Sequence, residues 1–86
     1  MERNGPRIRA DRKNQKFLVS LLRQIREDAG LRQVDMAAAL RVPQSFVSKY
    51  ESGERRLDLL ELREVCAASQ ISLSEFTKRF EEAVAR

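Results

Sequence analysis

Gln44, Ser45, Ser48 and Lys49 put an amide, two hydroxyls and an ammonium into one short stretch of chain. Such groups donate and accept hydrogen bonds but do not break covalent bonds unaided. Amides and ammonium groups are the side chains that hydrogen-bond base edges in the major groove of duplex DNA. Little else in the sequence suits catalysis. It has no histidine, one cysteine (Cys66) and no glycine-rich phosphate loop. The acidic pairs Glu27-Asp28 and Glu81-Glu82 have no partner acid or base at a spacing that would form a site. The ligands of a metal site are missing, and no cofactor motif occurs. The expectation is a binding protein, not an enzyme, with no cofactor and no metal.

Charge points the same way. The net charge is +4, and the excess lies at one end. Residues 1–16 carry six basic side chains against two acidic ones, and the rest of the chain is balanced. Arg7, Arg9, Arg12 and Lys13 therefore form a basic N-terminal arm over residues 1–14, suited to an anionic partner. The arm has too few apolar residues to insert into a lipid surface. No apolar run approaches the length of a membrane span, and no secretory leader is evident. A single thiol offers no internal disulfide, so the expected compartment is the cytoplasm.

The elements that must position the polar set are helices. Phe17, Leu21 and Ile25 recur every fourth residue, with Leu18 and Leu22 widening the stripe. Gly30 ends that helix. A second short helix covers 33–40, with Met36, Ala37 and Leu40 on one face. Pro43 breaks the chain, because it disfavours helix at the residue before it. A third helix covers 44–52, with Val47 and Tyr50 inward, and Gly53 closes it. Asp58 and Glu61 form a capping pair for a fourth helix, whose apolar face is Leu59, Leu62, Val65 and Cys66. Ser72 and Glu75 repeat that logic for a fifth helix reaching Val84. The fold class expected is all-α, five helices over residues 15–86. At 86 residues one domain is all the chain can form.

Residues 33–53 read as two short helices joined by a tight turn, the helix-turn-helix arrangement. Ala37 and Ala38 supply small residues for the crossing. With Val47 and Tyr50 buried, Gln44, Ser45, Ser48 and Lys49 face out.

In this stretch the chain resembles the lambdoid repressor and Cro type of regulator, the XRE-like family. The match runs over about residues 17–77. It is tightest at Leu31-Arg32-Gln33, Met36-Ala37, Leu40, Val42, Ser45, Val47-Ser48 and Glu51-Ser52-Gly53-Glu54. Leu59, Leu62, Ile71-Ser72-Leu73 and Glu75-Phe76 match the last two helices. The resemblance implies a compact lambda-repressor-like domain that binds double-stranded DNA and regulates transcription. It implies base contacts from Gln44, Ser45 and Lys49. Gln33, at the start of the first motif helix, would hold a phosphate, and its spacing from Gln44 lets the two amides meet. Ser48, Arg55 and Arg56 would suit further phosphate contacts. Arg26 and Glu51 occupy positions that form a structural ion pair in some relatives. Four positions depart from the pattern, one of them Leu57, which stands where proline or threonine is frequent. Arg41 stands where glycine is frequent, and Arg32 and Pro43 stand where Ser or Thr usually caps the motif helices.

Phe76, Phe80 and Val84 form an i, i+4, i+8 stripe on the last helix. The expectation is a homodimer interface, which places two recognition helices on a near-palindromic site. A protein-interaction module, such as an antitoxin or anti-repressor component with a protein partner, is the alternative function.

Overall fold

Five helices account for most of the computed structural model, which describes residues 12–85. They are α1 (Arg12–Asp28), α2 (Gln33–Leu40), α3 (Gln44–Ser52), α4 (Leu59–Ala68) and α5 (Leu73–Val84). No strand occurs among the described residues. The fold is all-α, as the periodicity implies. Arg7 and Arg9 of the expected arm lie outside the described residues. Arg12 and Lys13 do not belong to an arm, because they form the first turn of α1. Arg, Lys and Gln are good helix formers. They carry no apolar period, so the pattern becomes visible only at Phe17.

Every helix contributes to one core: Leu22 and Ile25, Met36 and Ala37, Val47 and Tyr50, Val65 and Cys66, and Phe76. Met36, Val47 and Cys66 are fully sealed from solvent. Fully burying a side chain the size of Val or Met contributes about 1.5–3 kcal/mol. Burial pushes the Cys66 thiol up to about 11, so it behaves as a small apolar group. α2 packs on α3 and α4, while α1 packs on α3 and α5. Ala37 is buried but Ala38 is exposed, so one small residue, not two, serves the crossing.

Two expected apolar positions fall elsewhere. Leu59 is 65% exposed and its neighbour Leu60 is 75% exposed. Spacing puts Leu59 on the stripe of α4, but that first turn lies at the surface with the Asp58–Glu61 capping box. The stripe meets the core only from Leu62 onward. Phe76, assigned above to an interface, is 1% exposed and part of the monomer core. α5 packs on α1 and α4, and of the three-residue stripe Phe80 and Val84 are left half-buried.

Three helices end in one way. Gly30, Arg41 and Gln70 are left-handed, at φ 75°, 58° and 61°. In each case the next N–H reaches back five residues: Leu31 to Arg26, Val42 to Ala37 and Ile71 to Cys66. The residue making that bond is apolar and packs against the core. This is the Schellman closure, which satisfies carbonyls that a helix end leaves open. Arg41 therefore adopts the conformation that glycine would take, at a steric cost of about 1–2 kcal/mol. Gln70 carries the same cost at the end of α4.

Capping differs at the two motif helices. Neither Arg32 nor Pro43 caps with its side chain. At α2 the defect is made good from the third helical position. The Asp35 carboxylate accepts from the Arg32 N–H at 2.9 Å and from its guanidinium at 2.9 Å. The Arg32 guanidinium and that backbone bond hold the Asp35 carboxyl at about 2.

Gln70→Gly relieves the left-handed strain, partly offset by the looser unfolded chain. Urea unfolding is expected to show a gain of about 1 kcal/mol, and no gain would mean the strain is absent. Asp35, and Glu61 beside Arg55, are both held below their ordinary values. Their contribution is complete above pH about 4.5 and lost as pH falls through their folded values. The urea midpoint is expected to drop between pH about 4.5 and about 2, and less steeply in Asp35→Asn.

Candidate nucleic-acid interface

α3 has two chemically distinct faces. Val47, Tyr50 and Glu51 are buried at i, i+3 and i+4. Gln44, Ser45, Ser48 and Lys49 are all exposed. Pro43 precedes the helix at φ −65° and ψ 153°, and no acidic residue lies in the first turn. The amino end of α3 thus carries uncapped N–H groups and no negative side chain, which suits an approaching anion.

The glutamate on the buried face holds the helix in place. Arg26 Nε donates to Glu51 Oε2 at 2.7 Å, and its Nη2 donates to Oε1 at 3.0 Å. The remaining amino group of Arg26, Nη1, donates to the Leu31 carbonyl at 2.8 Å. One guanidinium therefore ties α1, the closure before α2, and α3. The hydrogen bonds to Glu51 raise the Arg26 pKa against the opposing effect of burial. Both side chains are buried, and this two-bond geometry is the strongest form of such a pair. Removing one partner of such a pair costs about 3–5 kcal/mol, because a buried charge is left alone. Arg23, more exposed, lies 3.7 Å from the same carboxylate.

From Glu51 a line of hydrogen bonds runs outward. Gln33 Nε2 donates to Glu51 Oε1 at 3.1 Å. Gln44 Nε2 in turn faces Gln33 Oε1 at 3.5 Å. The structure therefore brings together Arg26, Glu51, Gln33 and Gln44. Sequence pairing had linked them only two by two.

Arg55 does not stand free for a phosphate. Its Nη1 and Nη2 donate to the two oxygens of Glu61 at 3.2 and 2.9 Å, and Nη1 also donates to the Arg56 carbonyl at 3.0 Å. The guanidinium carbon lies 4.2 Å from the centre of the Phe46 ring. Phe46 meets Tyr50 edge-on, 5.9 Å between ring centres. Arg55 thus braces the loop between α3 and α4, with three of its five N–H donors engaged within the protein. Arg56 is exposed on the same loop. Phe46 and Glu61 in these roles went unread in the sequence. The available signal was an aromatic residue on α3 followed by an arginine just past Gly53.

These features are those of a known class. A helix-turn-helix family model matches residues 22–76. The chain is 36% identical to an XRE-family-like protein from Pseudomonas syringae pv. tomato, over 84% of this chain and 88% of that one, with a TM-score of 0.78. It therefore belongs to the XRE-type helix-turn-helix family of DNA-binding transcription regulators. The clp gene regulator ClgR of Corynebacterium glutamicum is 26% identical, over 80% and 88% of the two chains, with a TM-score of 0.71. The restriction-modification controller protein C.Esp1396I shares the fold at a TM-score of 0.77 and 18% identity, over 85% and 94% of the two chains. No match was found among curated protein sequences.

The two loop arginines are expected to separate in a salt series. Arg56→Ala should reduce the slope of log affinity against log salt by about 0.9, as for one lost phosphate contact. Arg55→Ala should leave the slope unchanged and lower the melting temperature. The opposite pattern in a fluorescence titration would reverse the two roles.

Proposed function

We propose that this protein regulates transcription as a homodimer that inserts α3 into the major groove of duplex DNA. The observation that carries this reading is the exposed polar face of α3 set against its sealed inner face. Gln44, Ser45 and Lys49 read base edges. Gln33, Ser48 and Arg56 hold phosphates and set the register. Gln33 has one amide hydrogen left after its bond to Glu51. Lys13 and Arg12, in the first turn of α1, add charge, as do Arg7 and Arg9. Arg55 supports the loop from which Arg56 reaches the backbone.

Dimerisation would use the C-terminal half of α5. Phe80 and Val84 lie one turn apart there, and neither is sealed by the monomer. Two copies related by a two-fold axis would set their α3 helices about 34 Å apart, one turn of duplex. No helix among the described residues is long and apolar enough to cross a membrane. No cluster of ligating side chains that could hold a metal occurs among them either.

Fluorescence titration against a random-sequence duplex, run beside sedimentation without DNA, tests the reading. Binding should weaken several-fold or more from about 50 to about 200 mM salt, and the free protein should sediment as a dimer. Phe80→Glu should yield monomer. No binding at the lowest salt would overturn the assignment, and a dimer that survives Phe80→Glu would move the interface off α5.

A further inference from the structure

Beside the loop that carries Arg55 and Arg56 lies a cavity of about 120 Å³, bounded by α1, α3, that loop and α4. Leu18 and Leu22 of α1, Leu57 of the loop and Leu62 of α4 supply apolar walls, and Tyr50 of α3 completes them. Protein interiors seldom leave a void larger than a water molecule. An apolar space holds water poorly, and an engineered cavity of about 150 Å³ with similar walls stays dry and takes up benzene. The space here is suited to one ring or a short branched chain.

Two polar features distinguish it from a packing gap. Tyr50 is 1% exposed, and its hydroxyl meets no hydrogen-bonding group among the described residues. A buried hydroxyl left unmet costs free energy that phenylalanine at the same place would not. The two arginines also line the space. Arg55 keeps two N–H donors beyond its bonds to Glu61 and the Arg56 carbonyl. Its charge is met by Glu61. Arg56, in contrast, is exposed and pairs with no carboxylate among the described residues. The walls call for an apolar body, and the unmet charge at their edge calls for an anion.

We propose that this cavity binds a small carboxylic acid, its ring or branched chain among the leucines and its carboxylate on Arg56 and the spare donors of Arg55. A guest held this way draws Arg56 from the phosphate assigned to it above, so the acid and DNA oppose each other. The coupling is reciprocal, each ligand lowering the affinity of the other by the same factor. The site stands on the cavity and its arginines, whereas the coupling rests on the DNA-binding role proposed above.

Benzoate is the probe, with benzyl alcohol as its uncharged analogue and acetate as the charge without the ring. Leucine methyl NMR shifts of the full chain are followed for each at constant ionic strength. Benzoate should shift Leu18, Leu57 and Leu62 saturably, with half-saturation at about 1 mM or below, and leave the exposed Leu59 and Leu60 unmoved. Benzyl alcohol should bind about ten-fold more weakly, and acetate should shift none of them. Arg56→Ala, at an exposed position, should weaken benzoate by about five-fold. Leu57→Phe should fill the space and abolish binding; if that variant fails to fold by circular dichroism, Arg56→Ala decides. Saturating benzoate should lower affinity for a random-sequence duplex by about five-fold relative to acetate at equal ionic strength, and Arg56→Ala should erase that difference. No saturable methyl shift, or cross-relaxation in the free protein that places residues 1–11 in the cavity, overturns the site. Benzoate that binds without weakening the duplex complex overturns the coupling. A protein that binds no duplex even without benzoate would overturn the DNA-binding role instead, and the methyl shifts would still judge the site.

Discussion

The bond between Arg26 and Glu51 is the constraint on which the recognition surface depends. α3 is only nine residues long. Helices that short are marginal in isolation, because nucleation is costly and few bonds follow it. Its N-cap is a proline, which gives no side-chain cap. Its apolar anchorage consists of Val47 and Tyr50, supported by half-buried Phe46. Hydrophobic contact alone resists removal of these side chains but sets rotation only loosely, since it has no direction. A guanidinium donating to both oxygens of one carboxylate fixes distance and plane together. In this domain that bond supplies the direction.

The rest of the architecture serves the same end. The left-handed closure at Gly30 brings the Leu31 carbonyl to Arg26, so the ion pair also sets where α2 begins. That fixes Gln33 at the first position of α2, within reach of Glu51. The closure at Arg41 turns the chain from α2 into α3, accepting local strain where the geometry leaves no alternative. On the far side of α3, Arg55 bridges Phe46 and the capping glutamate of α4. α3 is thus held along its length. Specific hydrogen bonding to a base needs such rigidity, because a loose side chain must lose entropy on binding before it gains a contact.

Much of this was legible in the sequence, for identifiable reasons. A 3.6-residue apolar period is a strong signal, and it located all five helices with their ends marked by Gly30, Pro43, Gly53, Asp58 and Ser72. The polar and apolar faces of α3 followed from the same period. Three things were hidden. The first turn of α1 is polar all round, so periodicity could not distinguish it from an arm. Leu59 and Phe76 share stripes with their neighbours, and only the placement of a helix end decides which member of a stripe meets the core. Arg55 reads as a free cation because charge is visible in sequence, while a stacked ring and a carboxylate at six residues' distance are not. The direction of the Glu51–Gln33–Gln44 bonds was likewise beyond sequence, since it depends on which atom of each amide faces which neighbour.

In the proposed complex the outer face of α3, and not α5 or the exposed leucines of α4, meets DNA. Amide NMR shifts recorded while a short random-sequence duplex is titrated in at low salt would test it directly. The largest shifts are expected at Gln33, Gln44, Ser45, Ser48, Lys49 and Arg56, with Phe80 and Val84 little changed. Shifts centred on Leu59, Leu60 or the last turns of α5, with α3 silent, would contradict it.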